Sequence, residues 1–162
     1  MEFNSEIYNK FIKGIDKVFE QSVNSNLSRM GKLQRVEGDI RNPDDVLGIL
    51  TFTCPDYIGA ILISFPESTV LNIYRRLVYE DADQLSANVV DSMNGFLGLI
   101  IDQIMKIFTD EDIVFDEAVI LNRQRVKFKN DDDLEWLHYP LEAENVGKLG
   151  VFIGLGQVTF DV

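Results

Sequence analysis

Residues 86–108, SANVVDSMNGFLGLIIDQIMKIF, constrain this chain more than any other stretch. The run holds no proline, and a serine stands where a helix N-cap belongs. Val89, Met93, Phe96, Ile100, Ile104 and Ile107 recur at steps of three and four, and Val90, Leu97, Ile101 and Phe108 widen the band. At about 100° per residue, Ala87, Asn88, Asp91, Asn94, Gly95, Gly98 and Asp102 fall on the other side. The spacing predicts one long helix with a broad core face and a narrow face of small or polar residues.

Gly95 and Gly98 are the informative pair. Each costs roughly 1 kcal/mol against alanine inside a helix, so two on one face imply that something comes close to the backbone there. Two readings fit. In the plainer one, which spacing alone favours, another helix of the same chain packs on the glycines while Asp91 and Asn94 are simply solvated. In the other, the face is left for a partner, and a carboxylate and a carboxamide three residues apart grip that partner or position a water.

Composition narrows the function classes. A length of 162 residues favours one domain, 1–162, and 46% hydrophobic residues favour a folded core. The net charge of −12 argues against a nucleic-acid or anionic-membrane surface, which needs clustered Lys and Arg. An acidic chain suits a basic partner or plain solubility. Cys54 is the single cysteine, so no internal disulfide can form. It ends an apolar run and reads as a buried thiol, since His138 is the sole histidine that could serve it as a base. The polar, acidic N-terminus predicts no signal peptide, and the apolar stretches are too short and interrupted to span a bilayer. The expectation is a soluble cytoplasmic protein.

The flanking pattern gives the fold class. Asn4 or Ser5 caps a first helix whose seam is Ile7, Phe11, Ile15, Val18, Phe19 and Val23. Residues 27–40 read as a modest strand exposed on one face, and 42–45 as a turn. VLGILTFT at 46–53 and GAILISF at 59–65 read as strands joined by a hairpin connection at 54–57. Pro66 and Glu67 start a second helix carrying Val70, Leu71, Ile73, Tyr74, Leu77 and Val78. The acidic link 80–83 lacks the spacing of a calcium loop and reads as solvated charge. In the acidic turn 130–133 a metal reading is weak, since adjacent acids in a turn point in different directions, so no metal ligands are assigned. Strands follow at 113–121, 126–129, 134–141 and 149–155, with a polar loop at 142–148. Trp136, His138 and Leu141 read as strand packing. This order predicts an α+β layer fold, an antiparallel-rich sheet packed against helices with one long central helix.

At this point the chain resembles the CheX branch of the CheC/CheX/FliY chemotaxis phosphatase family. The likeness runs over roughly residues 9–155 and rests on the first helix, the strand GAILISF, the segment FPESTVLNIYRRL, the acidic link and the D-x-x-N-G core of the central helix. Asn94 falls on the asparagine of the family's Glu-x-x-Asn signature, and Asp91 on its glutamate, one methylene shorter. Ala87 stands where the family pattern has Asp or Ser, and a proline usual some twenty residues after the asparagine is absent. The resemblance implies a phosphatase of a phosphorylated CheY-type receiver, in chemotaxis or a related two-component pathway. Asn94 would orient the attacking water and Asp91 contact the receiver's lysine, with Ala87, Gly95 and Gly98 meeting the partner. It implies no cofactor of the protein's own, the magnesium ion being the receiver's, and a homodimer. The alternative is a CheX-like binding or dimerisation module that has kept the fold and lost turnover. A third option is a helix-packing scaffold with no receiver partner, in which Gly95 and Gly98 touch their own chain.

Overall fold

The computed structural model describes residues 5–41, 44–109, 112–123, 127–128 and 134–157. In chain order the elements are α1 (Ser5–Val23), β1 (Leu27–Arg29), β2 (Gln34–Arg35), β3 (Ile40–Arg41), β4 (Val46–Thr53), β5 (Tyr57–Phe65), α2 (Glu67–Val78), α3 (Ala87–Ile107), β6 (Val114–Phe115), β7 (Val119–Asn122), β8 (Lys127–Phe128), β9 (Glu135–Ala143) and β10 (Gly147–Gln157). This is the expected α+β arrangement. Eight strands form one sheet in the order β1-β9-β10-β5-β4-β6, with β2 also on β9 and β7 also on β4, and every pairing is antiparallel. A separate ribbon pairs β3 with β8.

Alternation along the strands divides the sheet into two faces. Val46, Leu50 and Phe52 of β4, Ile61, Ile63 and Phe65 of β5, and Val151, Ile153 and Leu155 of β10 point at the helices and join the main core. Leu47, Leu62, Trp136 and Phe152 point the other way, where Ile40 and Phe128 of the small ribbon cover them. Trp136 and His138 therefore lie on the far face, while Leu141 lies on the helix face. The expectation that these three are strand packing holds, although they do not share a side.

Two close approaches seat the central helix. A Cβ on Gly14 of α1 would stand 2.7 Å from Ile104 Cγ1 and 3.3 Å from the Ile104 Cα, and a Cβ on Gly48 of β4 would stand 2.9 Å from Leu97 Cδ1. Phe19 meets Phe96 edge-on at 5.2 Å, and Phe11 meets Phe108 at 4.9 Å. Ser86 caps the helix as expected, its hydroxyl accepting from the Val89 N–H at 3.4 Å. The second helix is capped from a distance: the Asp45 carboxylate accepts from the Glu67 N–H at 2.9 Å, and Pro66 supplies a preset φ. Thr69 and Asn72 then tie α2 to the β9–β10 turn by donating to the Lys148 and Val146 carbonyls at 2.8 and 2.7 Å. Gly147, at φ 142° and pressed on Thr69, has no room for a side chain.

The segments expected to be single strands at 27–40 and 113–121 are each broken into shorter pieces. Residues 27–41 expose one side and pair only at the β9 edge and in the ribbon, so three short strands replace one. Between β6 and β7, Asp116 turns onto β4, its N–H donating to the Thr51 carbonyl at 3.0 Å and its carboxylate accepting from the Thr51 hydroxyl at 2.8 Å. The polar loop at 142–148 is shorter than expected, since β9 runs to Ala143 and β10 starts at Gly147. Asn4, residues 42–43 of the turn, residues 110–111 between the central helix and the strand expected at 113–121, Val126 and Lys129 of one strand, and the acidic turn 130–133 lie outside the described residues.

His138 stacks on Phe152 with ring centroids 4.3 Å apart and planes 11° apart. Burial lowers its pKa from the ordinary 6.5. A pKa lowered by folding means that the unfolded chain takes up the proton first, so stability is full above pH 6.5 and is lost as the pH falls below it. Urea denaturation should give a lower midpoint at about pH 6 than at about pH 7, and His138→Phe, which keeps the stack, should flatten that dependence. Equal slopes in the two proteins would contradict this account.

Candidate functional site

The central helix presents the face that its sequence spacing predicts. Val89, Met93, Phe96, Leu97, Ile100 and Ile104 are buried against α1, α2 and the sheet. Ala87, Asn88, Asp91, Asn94, Gly95 and Asp102 are exposed, and Gly98 is half-buried. A Cβ built on Gly95 or Gly98 would meet nothing within 4 Å. The plainer reading of the glycines, packing by a second helix of the same chain, is therefore overturned. The glycines that do receive close neighbours are Gly14 and Gly48, and they serve the buried side of this helix. An exposed Asn94 on an open face removes the scaffold option as well.

Asp91 and Asn94 are three residues apart, so their side chains stand side by side about 5–6 Å apart at Cβ. Neither makes a side-chain hydrogen bond or ion pair among the described residues. The face thus carries an unengaged carboxylate, able to meet a cation, beside an unengaged carboxamide, able both to donate and to accept. Ala87 sits at the first helical position, on the same side and one turn before Asp91. A backbone bared by Gly95 and Gly98 leaves room for another molecule to come within van der Waals reach of Asn94.

Sequence spacing passed over Leu99, which belongs to neither the core band nor the polar stripe. It is 42% exposed, four residues after Gly95, and gives the face an apolar margin; Met105 lies exposed further along the same helix. Its signal was available as an apolar residue outside the core period.

The remaining candidates do not assemble. Cys54 is buried in the helix-side core and His138 lies on the opposite side of the sheet, so no thiol–imidazole pair exists. In the acidic link, Asp81 pairs with Arg75 at 2.9 Å and Glu80 accepts from the Tyr74 hydroxyl at 3.4 Å, which fits its reading as surface charge. Among the described residues, no three of His, Cys, Asp and Glu are grouped to hold a metal ion, and no helix is long and apolar enough to cross a membrane.

No protein-family model and no curated protein matches the chain. Solved structures do match. A CheC-like superfamily protein from Shewanella sp. PV-4 superposes with a TM-score of 0.81 at 17% identity, over 94% of this chain and 99% of that one. The chemotaxis protein CheX from Vibrio vulnificus superposes at 0.76 and 17% identity, over 93% and 99% of the two chains. A CheX–CheY–BeF3–Mg complex from Borrelia burgdorferi matches at 0.70 and 16% identity, over 92% and 97%. The chain has the CheX-like fold that its sequence resembles.

The contrast between buried and open glycines is testable by stability. Gly95→Ala should raise the unfolding free energy by about 0.5–1 kcal/mol, since it removes backbone entropy and meets no neighbour. Gly14→Val should lower it by about 1–3 kcal/mol through overpacking against Ile104. Urea denaturation of both variants measures this, and a destabilised Gly95→Ala would mean that the face is covered.

Proposed function

We propose that the protein is a phosphatase for the aspartyl phosphate of a CheY-type receiver domain, with the open face of α3 as the surface that meets the receiver. The observation that carries this reading is the pairing of Asp91 and Asn94, both exposed and unengaged, beside glycines that leave the backbone bare. The fold agrees with it: one structure of the same fold is a CheX solved together with CheY, beryllofluoride and magnesium.

The chemistry asked of the chain is small. In hydrolysis of an aspartyl phosphate, a water oxygen attacks phosphorus, the phosphorus–carboxylate bond breaks, and inorganic phosphate and a free aspartate leave. Catalysis of phosphoryl transfer is mostly positioning and electrostatics. The Asn94 carboxamide accepts a hydrogen bond from the water with its oxygen, donates with its nitrogen and holds the water in line. Asp91 supplies a negative charge for a cationic side chain of the receiver and so sets the register of docking. Its shorter side chain, against the glutamate of the family pattern, asks the receiver to come closer, and Gly95 and Gly98 leave it space to do so. The magnesium ion belongs to the receiver, and this chain contributes no ligand to it. The protein works in chemotaxis or a related two-component pathway, in the cytoplasm, as a homodimer.

The second reading, a module of the same fold that binds a receiver without turnover, rests on Asp91 and Ala87 standing where the family pattern differs. Dephosphorylation of CheY-type receivers from the same cell separates the two. Wild type should accelerate decay of the phosphorylated receiver, and Asn94→Ala should remove about two orders of magnitude or more of that acceleration while keeping the fold. Gly98→Leu should weaken receiver binding without loss of stability. An inert wild type that gains activity on Asp91→Glu would place the defect in the missing methylene and favour the binding module. Inert proteins throughout would sink the phosphatase reading.

A further inference from the structure

Asn94 and Gly95 form the only Asn-Gly dipeptide of the chain. That pairing has a chemistry of its own. The backbone nitrogen that follows an asparagine can attack the side-chain carboxamide. A glycine there favours the attack, because no Cβ crowds the nitrogen and its φ is free. Here both residues are exposed, and a Cβ built on Gly95 meets nothing within 4 Å. The Asn94 carboxamide makes no hydrogen bond among the described residues. No side chain from another element stands in the way of the reaction.

The helix itself does. An α-helix commits each N–H to the carbonyl four residues before it, which assigns the Gly95 N–H to the Asp91 carbonyl. Helical ψ, about −42°, also turns the Gly95 nitrogen out of the plane that a cyclic imide needs. Local propensity does not hold this turn, since glycines at 95 and 98 weaken it. Burial on the opposite side does. Met93, Phe96 and Leu97 flank the dipeptide at 1% exposure or less, and Phe96 meets Phe19 of α1 edge-on at 5.2 Å.

We propose that Asn94–Gly95 is a latent deamidation site, closed while α3 is folded and opened when this stretch of the helix unwinds. On opening, the Gly95 nitrogen attacks Cγ of Asn94. The N–Cγ bond forms, the Cγ–Nδ2 bond breaks, and ammonia leaves with the proton of the Gly95 nitrogen. Water then opens the cyclic imide, at Cγ to give an aspartyl residue or at the Asn94 backbone carbonyl to give an isoaspartyl one. Either product carries a carboxylate in place of the carboxamide. A carboxylate accepts hydrogen bonds but no longer donates, and its charge repels that of Asp91 three residues away. The loss of a water-orienting group rests on the phosphatase reading; the deamidation itself does not.

Timed incubation of the full chain at mildly alkaline pH, in buffer and in guanidinium chloride, tests the assignment. Peptide mapping by mass spectrometry reads the exchange of NH for oxygen at each asparagine. In denaturant, Asn94 should react ahead of every other asparagine, including the exposed Asn24 before Ser25. It should also react about a hundredfold faster, or more, than in the native protein, because a core-anchored helix seldom opens. Gly95→Ala should slow the reaction in denaturant about tenfold, and with no helix left that slowing is not an effect of stability. Equal rates at Asn94 in buffer and in denaturant would overturn the guarding role of α3. Another asparagine reacting first in denaturant, or an unslowed Gly95→Ala, would overturn the site. Deamidated protein, refolded and separated by charge, should no longer accelerate receiver dephosphorylation. Full activity in that fraction would overturn the role given to the Asn94 carboxamide while leaving the deamidation site in place.

Discussion

The burial of one side of α3 is the constraint on which the rest depends. Six side chains of this helix, from Val89 to Ile104, are 1% exposed or less, and each large apolar side chain so buried contributes about 1.5–3 kcal/mol. Against that sum, two solvent-side glycines at about 1 kcal/mol each are a tolerable cost. The helix can thus keep a bare outer face because its inner face is held so firmly. Gly14 and Gly48 belong to the same device: by having no side chains they let α1 and the sheet close on Ile104 and Leu97. Of the two, only a side chain at Gly14 would press on the backbone of α3, at Ile104.

Two different uses of glycine therefore meet in one layer. Where a Cβ would strike Ile104 or Leu97, glycine serves packing; where it would strike nothing, at 95 and 98, glycine leaves the surface low. The polar pair beside that low surface is rigidly based but chemically unoccupied, which suits a group that must act on something brought to it. On the proposed reading the reacting group and its metal ion arrive with the partner, so an open face is enough. The far side of the sheet is covered by the β3–β8 ribbon and carries the His138–Phe152 stack.

Much of this was legible in the sequence where periodicity was strong. The central helix begins and ends within a residue of its apolar period because Ser86 caps it and the band is unbroken to Phe108. The strand VLGILTFT matches β4 end to end, since seven of its eight residues are buried or half-buried on one face or the other. Legibility failed where tertiary contacts decide. Residues 113–121 look like one strand, yet the Asp116–Thr51 bonds split them. The cap of α2 comes from Asp45, twenty-two residues away, which no local pattern can reveal. The polar face itself was legible, but its openness was not, because glycines three apart fit a covered helix as well as an exposed one.

The central claim is that the Asp91–Asp102 face of α3 is where a receiver docks. Its most direct test is an amide NMR titration of the labelled protein with a CheY-type receiver held in its active form by beryllofluoride and magnesium. The account predicts shifts and line broadening concentrated on Asp91, Asn94, Gly95, Gly98 and Leu99, and their loss when the receiver is left unactivated. Perturbations confined to the far face of the sheet, or none with any receiver from the same cell, would contradict it.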